Sequence, residues 1–188
     1  MQRQLGRGGT WGQRWRVPLS FACALLFILL AHPSPNTLML GGVVSIAGLG
    51  LRAWASGHIR KNEALATSGP YAYTRNPLYL GSFLVGLGFT IAAARWVLGL
   101  IFVALFLGIY FPVMRVESST LADLFGERYR RYAREVPLFF PQLKQYRDQS
   151  AGQSQFDATL YLRYREYRAV LGLLCAWAVL VFKTYYLK

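Results

Sequence analysis

The sequence predicts an all-α fold, a multi-pass transmembrane helical bundle of about five spans with a cytoplasmic amphipathic C-terminal helix. Three observations lead there. Hydrophobic residues make up 54% of the 188 positions and charged residues only 15%, where a soluble domain carries about 25% charged residues. The apolar residues gather into long runs, and a spanning helix needs about 20 of them in succession. Most basic residues fall in the segments between alternate runs. The length suits one integral membrane domain, 1–188, rather than two large ones.

The elements follow in chain order. Residues 1–16 form a basic arm with Arg3, Arg7, Arg14 and Arg16. Residues 17–114 hold four apolar runs, at 17–31, 36–56, 78–94 and 96–114. The turn from His32 to Asn36 joins the first two, because proline stops one helix and opens the next. Only Arg95 separates the third and fourth, which predicts a tight helical hairpin. Gly41, Gly42, Gly48 and Gly50 on the second run, and Gly81, Gly86 and Gly88 on the third, let helices approach closely. Residues 144–188 begin as a polar linker. Tyr161, Tyr164 and Tyr167 with Arg163, Arg165 and Arg168 then resemble an interfacial anchor. The fifth run, 169–187, either spans or lies at the interface.

Charge sets the topology. The net charge is +13, and 18 of the 21 Lys and Arg fall on one side of the five-span arrangement. Arg95, Lys183 and Lys188 fall on the other. This is the positive-inside pattern, so the N-terminus and the functional loops are expected in the cytoplasm, at a bacterial inner membrane. Nucleic acid is not an expected partner. Cys23 and Cys175 lie inside apolar runs, without disulfide or metal spacing, and read as buried inert thiols. A cleavable signal peptide is not expected, since Ala31-His32-Pro33 is a poor cleavage site.

Two segments carry chemistry. In 57–81, Ser68-Gly69-Pro70 signals a turn and Asn76-Pro77 opens the next helix. Tyr71, Tyr73, Arg75 and Tyr79 are interleaved with them. Non-helical backbone at membrane depth is tolerated where it lines a cavity; an interfacial loop with an aromatic belt has the same composition. In 115–143, Glu117 follows the fourth run directly. Leu121, Leu124, Phe125, Tyr129 and Tyr132 recur at helical spacing beside Arg128, Arg130, Arg131 and Arg134. Such an amphipathic basic helix binds interfaces. The stretch from Val136 to Pro141 then returns towards the bilayer. A carboxylate at the end of an apolar span is costly unless paired or functional, so Glu117 either bridges a nearby Arg such as Arg115 or serves a site.

The two segments together resemble the isoprenylcysteine carboxyl methyltransferase and phospholipid methyltransferase superfamily. Leu65-Ala66-Thr67-Ser68-Gly69-Pro70-Tyr71, followed by Arg75-Asn76-Pro77-Leu78-Tyr79-Leu80-Gly81, is similar to the family's Leu-Val-x-x-Gly-Pro-Tyr and Arg-His-Pro-x-Tyr-x-Gly. Glu117 to Leu121, Phe125-Gly126-Glu127-Arg128-Tyr129 with Tyr132, and Val136 to Pro141 are similar to its Glu-Glu-x-x-Leu, Phe-Gly-x-x-Tyr-x-x-Tyr and Val-Pro-x-x-x-Pro. Order and spacing fit over about residues 40–143. Asn76 stands where the family usually has His, Ser118 replaces the second Glu, and Glu63 stands where the prenylcysteine enzymes carry His.

What the resemblance implies is S-adenosylmethionine as methyl donor and a membrane-embedded lipid or prenylated small molecule as acceptor. The implied cofactor contacts are Glu63, Ala64, Leu65, Ala66, Tyr71, Asn76, Pro77, Leu78 and Tyr79, with Glu117 closing the site, and Arg75 is added because a guanidinium fork suits the cofactor's carboxylate. Glu117 and Arg115 are the expected catalytic residues. Arg52, Lys61 and Arg128 are expected to attract the substrate's anionic head group. Membrane lipids and the lipophilic acceptor are the expected partners. A carboxylate acceptor needs no general base, whereas an amine needs one, with Glu117, His58 or a tyrosine available. Two rival classes fit the composition: an NADPH-dependent membrane reductase of the sterol type, and a non-catalytic membrane scaffold.

Overall fold

The computed structural model describes residues 25–27, 29–60, 64–148 and 155–186. Residues 1–16, most of the expected first span with Cys23, and Lys61 and Glu63 lie outside them. Five α-helices and one 3₁₀ turn follow in order: α1 (Pro35–Ser56), the turn Gly69–Ala72, α2 (Pro77–Ala93), α3 (Trp96–Glu135), α4 (Ala158–Arg163) and α5 (Tyr167–Tyr186). Residues 25–27 and 29–30 are also helical. Among the described residues there is no β-strand, only an isolated bridge between Arg60 and Ala64.

Helices α1, α3 and α5 are long and apolar enough to cross a membrane. The fold is thus a helical integral membrane protein with three such helices among the described residues, where the sequence reading has about five spans. Helix α2 is apolar but has 17 residues, about 26 Å at 1.5 Å per residue.

Proline and hydroxyl chemistry set the helix starts. Ser34 caps α1, its side chain accepting from the Thr37 amide at 3.3 Å, and the Thr37 hydroxyl accepts from the Ser34 amide at 2.9 Å. This reciprocal pair satisfies two otherwise orphaned donors. Pro35 and Pro77 sit in the first turn of α1 and α2, where a missing N–H costs nothing.

Packing of α1 on α2 depends on small residues. A Cβ on Gly48 would stand 2.6 Å from the Gly81 carbonyl oxygen, and one on Gly41 would collide with the Gly88 carbonyl. The opposite face of α1 presents Met39, Val43 and Ile46, all more than 60% exposed. Apolar outside and small inside suits a helix solvated by lipid. Cys175 follows the same rule: it is exposed on α5, not buried as its apolar run predicts, because the outer face of such a helix is itself apolar.

Two residues, not one, make the α2–α3 turn. Ala94 takes a left-handed conformation at φ 52° and Arg95 is extended. Helix α3 then runs unbroken past the expected end of the fourth span. At Gly126, with φ 56° and ψ −131°, helical geometry breaks, so the turns from there to Glu135 are a second helical piece joined to the first across a kink.

Charges collect at two ends. Arg95 Nε donates to His32 Nδ1 at 3.2 Å, and Lys183 donates to the Leu29 carbonyl at 2.9 Å. At the other end Arg52 grips Glu166 through Nε and Nη2, at 3.0 and 2.8 Å, and also donates to the Leu78 carbonyl and the Ser82 hydroxyl. This bidentate pair ties α1 to the start of α5.

Gly48→Val should lower stability in detergent by about 1–3 kcal/mol, since neither backbone can yield to the added methyls. Gly50→Ala, with nothing within 4 Å of its added carbon, should leave stability unchanged or slightly raised. Thermal unfolding of the two variants checks the packing of α1 on α2.

Candidate functional site

Past α1 the chain is held by a wedge. His58 is buried, with Nδ1 2.9 Å from the Trp54 carbonyl. Gly69 lies over its ring at φ 59°, and a Cβ there would come within 2.6 Å of the imidazole. Both the left-handed backbone and the lack of space demand glycine. His58 therefore shapes the turn. Pro70 and Tyr71 follow it into the interior.

Residues 72–76 then pair with the chain beyond α3. The Arg75 amide donates to the Pro137 carbonyl at 3.0 Å, the Gln142 amide to the Tyr73 carbonyl at 3.0 Å, and the Tyr146 amide to the Ala72 carbonyl at 3.0 Å. Thr74 Oγ1 donates to the Phe139 carbonyl at 2.8 Å and Asn76 Nδ2 to the Leu138 carbonyl at 2.9 Å. Beneath them Leu65, Ala72, Tyr129, Tyr132, Val136 and Tyr146 form a buried cluster.

This scaffold encloses a cavity of about 210 Å³. From the first segment it takes Ala64, Leu65, Ala66, Tyr71, Arg75, Asn76, Pro77, Leu78 and Tyr79; from α3 it takes Glu117. Every described residue expected at a cofactor site is thus brought together. Residues that sequence reasoning did not assign to it also line it: Ile59 and Arg60, then Ser118, Thr120, Leu121, Phe125, Tyr129 and Tyr132. Part of the signal was present, since Glu117, Leu121 and Phe125 fall every fourth residue before Gly126 and so share a helix face.

The polar groups of the cavity form two sets. Tyr79 donates its hydroxyl to Glu117 Oε2 at 3.2 Å, and its ring meets Tyr110 edge-on. Arg75 Nη1 donates to Ser118 Oγ at 3.2 Å and to the Tyr129 hydroxyl at 3.3 Å, and those two hydroxyls bond each other. Tyr132 donates to the Tyr71 carbonyl at 2.6 Å.

Two buried atoms have no partner among the described residues: Tyr71 Oη and Arg75 Nε. A buried polar group left unpaired costs about 1–3 kcal/mol. Burial pushes the Tyr71 phenol well above its ordinary pKa, and Tyr132 and Glu117 add to the effect. It is a neutral hydroxyl at any physiological pH. A carboxylate, a guanidinium, a neutral phenol and apolar walls can together hold a ligand that carries both charge signs and a hydrophobic body.

The remaining expected residues lie elsewhere. Arg115 is exposed, its guanidinium 4.8 Å from the Phe111 ring centroid, and it does not line this cavity. Arg52 is held by Glu166. Arg128 pairs with Asp148 at 3.0 Å. Physical reason accounts for each: the helix face that carries Glu117 inward carries Arg115 outward, and both Arg52 and Arg128 find carboxylates far along the chain.

Comparison with known proteins adds the family. The model of the phospholipid methyltransferase family matches residues 37–128. The cobalt-zinc-cadmium resistance protein CzcN of Cupriavidus metallidurans is 38% identical over 146 residues, 72% of this chain and 66% of its own. The nickel-cobalt-cadmium resistance protein NccN of Alcaligenes xylosoxydans is 31% identical over 145 residues, 72% of this chain and 67% of its own. The protein-S-isoprenylcysteine O-methyltransferase of Schizosaccharomyces pombe is 27% identical over 127 residues, 65% of this chain and 54% of its own. The chain spans about two thirds or less of the length of these relatives. No solved structure matches it.

The unpaired phenol makes a prediction about stability. Without ligand, Tyr71→Phe should hold or gain stability, because no protein hydrogen bond is lost. Tyr132→Phe should lose about 1 kcal/mol, because its hydroxyl bonds the Tyr71 carbonyl. Equal destabilisation of the two in thermal unfolding would mean that the Tyr71 hydroxyl has a protein partner after all.

Proposed function

The chain belongs to the superfamily of the phospholipid and isoprenylcysteine carboxyl methyltransferases, and from that premise we propose that it is an S-adenosylmethionine-dependent membrane methyltransferase acting on a lipophilic acceptor. The observation that carries this reading is the cavity itself. It is built from the two sequence segments similar to the family's, and its lining brings Glu117 and Arg75 together with Tyr71 and Tyr79.

S-adenosylmethionine, when bound, would supply an electrophilic methyl carbon on a sulfonium centre. The chain's own residues would bind and orient it. Tyrosine faces at Tyr71 and Tyr79 suit a cation. Glu117, fixed on one side by the Tyr79 hydroxyl, would take the cofactor's ammonium or a ribose hydroxyl. Arg75 would take a carboxylate, for which a guanidinium fork is well matched. Leu65, Leu78, Leu121 and Phe125 would keep water out. With little proton chemistry required, the protein's main contribution would be holding two reactants at near-attack distance. An amine acceptor would need a base, and Glu117 is the carboxylate in the cavity wall.

The acceptor would enter from the lipid side, because the apolar helices α2 and α3 supply the cavity's residues from Pro77 to Tyr79 and from Glu117 onwards. Lipid and prenylated acceptors are the chemical class that the relatives' methyltransferase names and this membrane setting support. The metals in the names of CzcN and NccN describe those proteins.

Calorimetric titration of the detergent-solubilised protein tests the reading. Saturable binding of S-adenosylmethionine, and none of NADPH, is the expected result. Glu117→Gln should weaken it by about ten- to a hundredfold, since a hydrogen bond to a charged group contributes about 1.5–3 kcal/mol. Binding of NADPH alone would instead favour a reductase. Parent-like binding by Glu117→Gln would remove Glu117 from the site while leaving the fold intact.

A further inference from the structure

The cavity leaves the neighbouring stripe of α3 unexplained. Arg115 and Ser119, one turn apart before the kink at Gly126, and Arg130 and Arg134, one turn apart after it, line with Arg75 a second, open groove of about 620 Å³. Four guanidinium groups around one depression are costly by mutual repulsion unless anions accompany them. The protein supplies few. Glu127 is the carboxylate paired with Arg130 and Arg134, at 3.7 and 3.5 Å, and its side chain is 60% exposed. Such an exposed pair is weak and screened. Arg115 has no ion pair among the described residues; it lies over Phe111.

The groove's position selects the ligand. Arg115 is the first charged residue after the apolar run 96–114, so the groove begins where α3 leaves hydrocarbon. Its neighbours Val116 and Phe140, the latter two residues beyond the groove residue Leu138, are 64% and 76% exposed. Cations bordered by exposed apolar side chains at that depth match an amphiphile with an anionic head. We propose that this groove binds the phosphate of an anionic phospholipid headgroup, as a site separate from the cavity. The two share a wall, since Arg75, Ser118 and Tyr129 line both. The proposal does not depend on methyl transfer, and a lipid-binding experiment reads it without any cofactor.

Native mass spectrometry of the full chain in detergent, titrated with phosphatidylglycerol or phosphatidylcholine, tests it. The parent should favour phosphatidylglycerol by about tenfold or more. The double variant Arg130→Gln/Arg134→Gln should lose that preference by about ten- to thirtyfold, the expectation for two surface cations near a headgroup. Both side chains are more than 60% exposed, so the variant should fold, and its unchanged phosphatidylcholine binding would confirm it. Arg130→Lys/Arg134→Lys should keep most of the preference. Arg147→Gln/Arg163→Gln removes the same charge outside the groove and should change little. Equal loss in that control, or no preference in the parent, would overturn the proposal. So would displacement of the lipid by millimolar inorganic phosphate, which would make this a site for free phosphate.

Discussion

Two non-helical stretches of the chain, 72–76 and 137–146, satisfy each other's backbone groups, and the rest of the structure depends on that pairing. Unpaired amides and carbonyls beside a bilayer cost several kcal/mol each. Here three amides and two side chains, those of Thr74 and Asn76, close the gap. The pairing does more than stabilise a loop. It fixes Asn76 and so the start of α2 at Pro77. It also anchors the far end of α3, whose inner face carries Glu117, Tyr129 and Tyr132. The cavity exists because the helical piece beyond the Gly126 kink is tied back to the loop before α2.

Much of this was legible in the residues, and the reasons differ by element. Helices α1 and α2 begin at the prolines that mark them, because proline tolerates the first turn and little else in a helix. The residues from Ala64 to Tyr79 were grouped by the family resemblance rather than by composition, which fits an interfacial loop equally well, and the fold brings those described into one cavity wall. The run of α3 past Met114 as far as the kink at Gly126 was hidden. The change from apolar to basic composition after Met114 looks like a boundary, but it records a change of solvent around one helix. Gly126, where the backbone does leave helical geometry, has no such compositional mark.

Long-range pairs were the least legible. Glu166 reaches Arg52 across 114 positions, and Asp148 reaches Arg128 across 20. Nothing local announces either partner, so each arginine looks free for a substrate until the fold assigns it. Arg115 misleads in another way. It lies two residues from Glu117, a spacing that puts side chains on different sides of a helix. The neighbouring charges therefore serve different surfaces: one the cavity, one the groove at the membrane boundary.

The central claim is that the loop before α2 and the inner face of α3 form one cofactor site. Amide hydrogen exchange of the solubilised protein, with and without S-adenosylmethionine, tests it most directly. Added protection in 64–79 and in 117–132 together, with α5 unchanged, is the predicted result. Protection confined to residues 158–186, or to only one of the two segments, would contradict it.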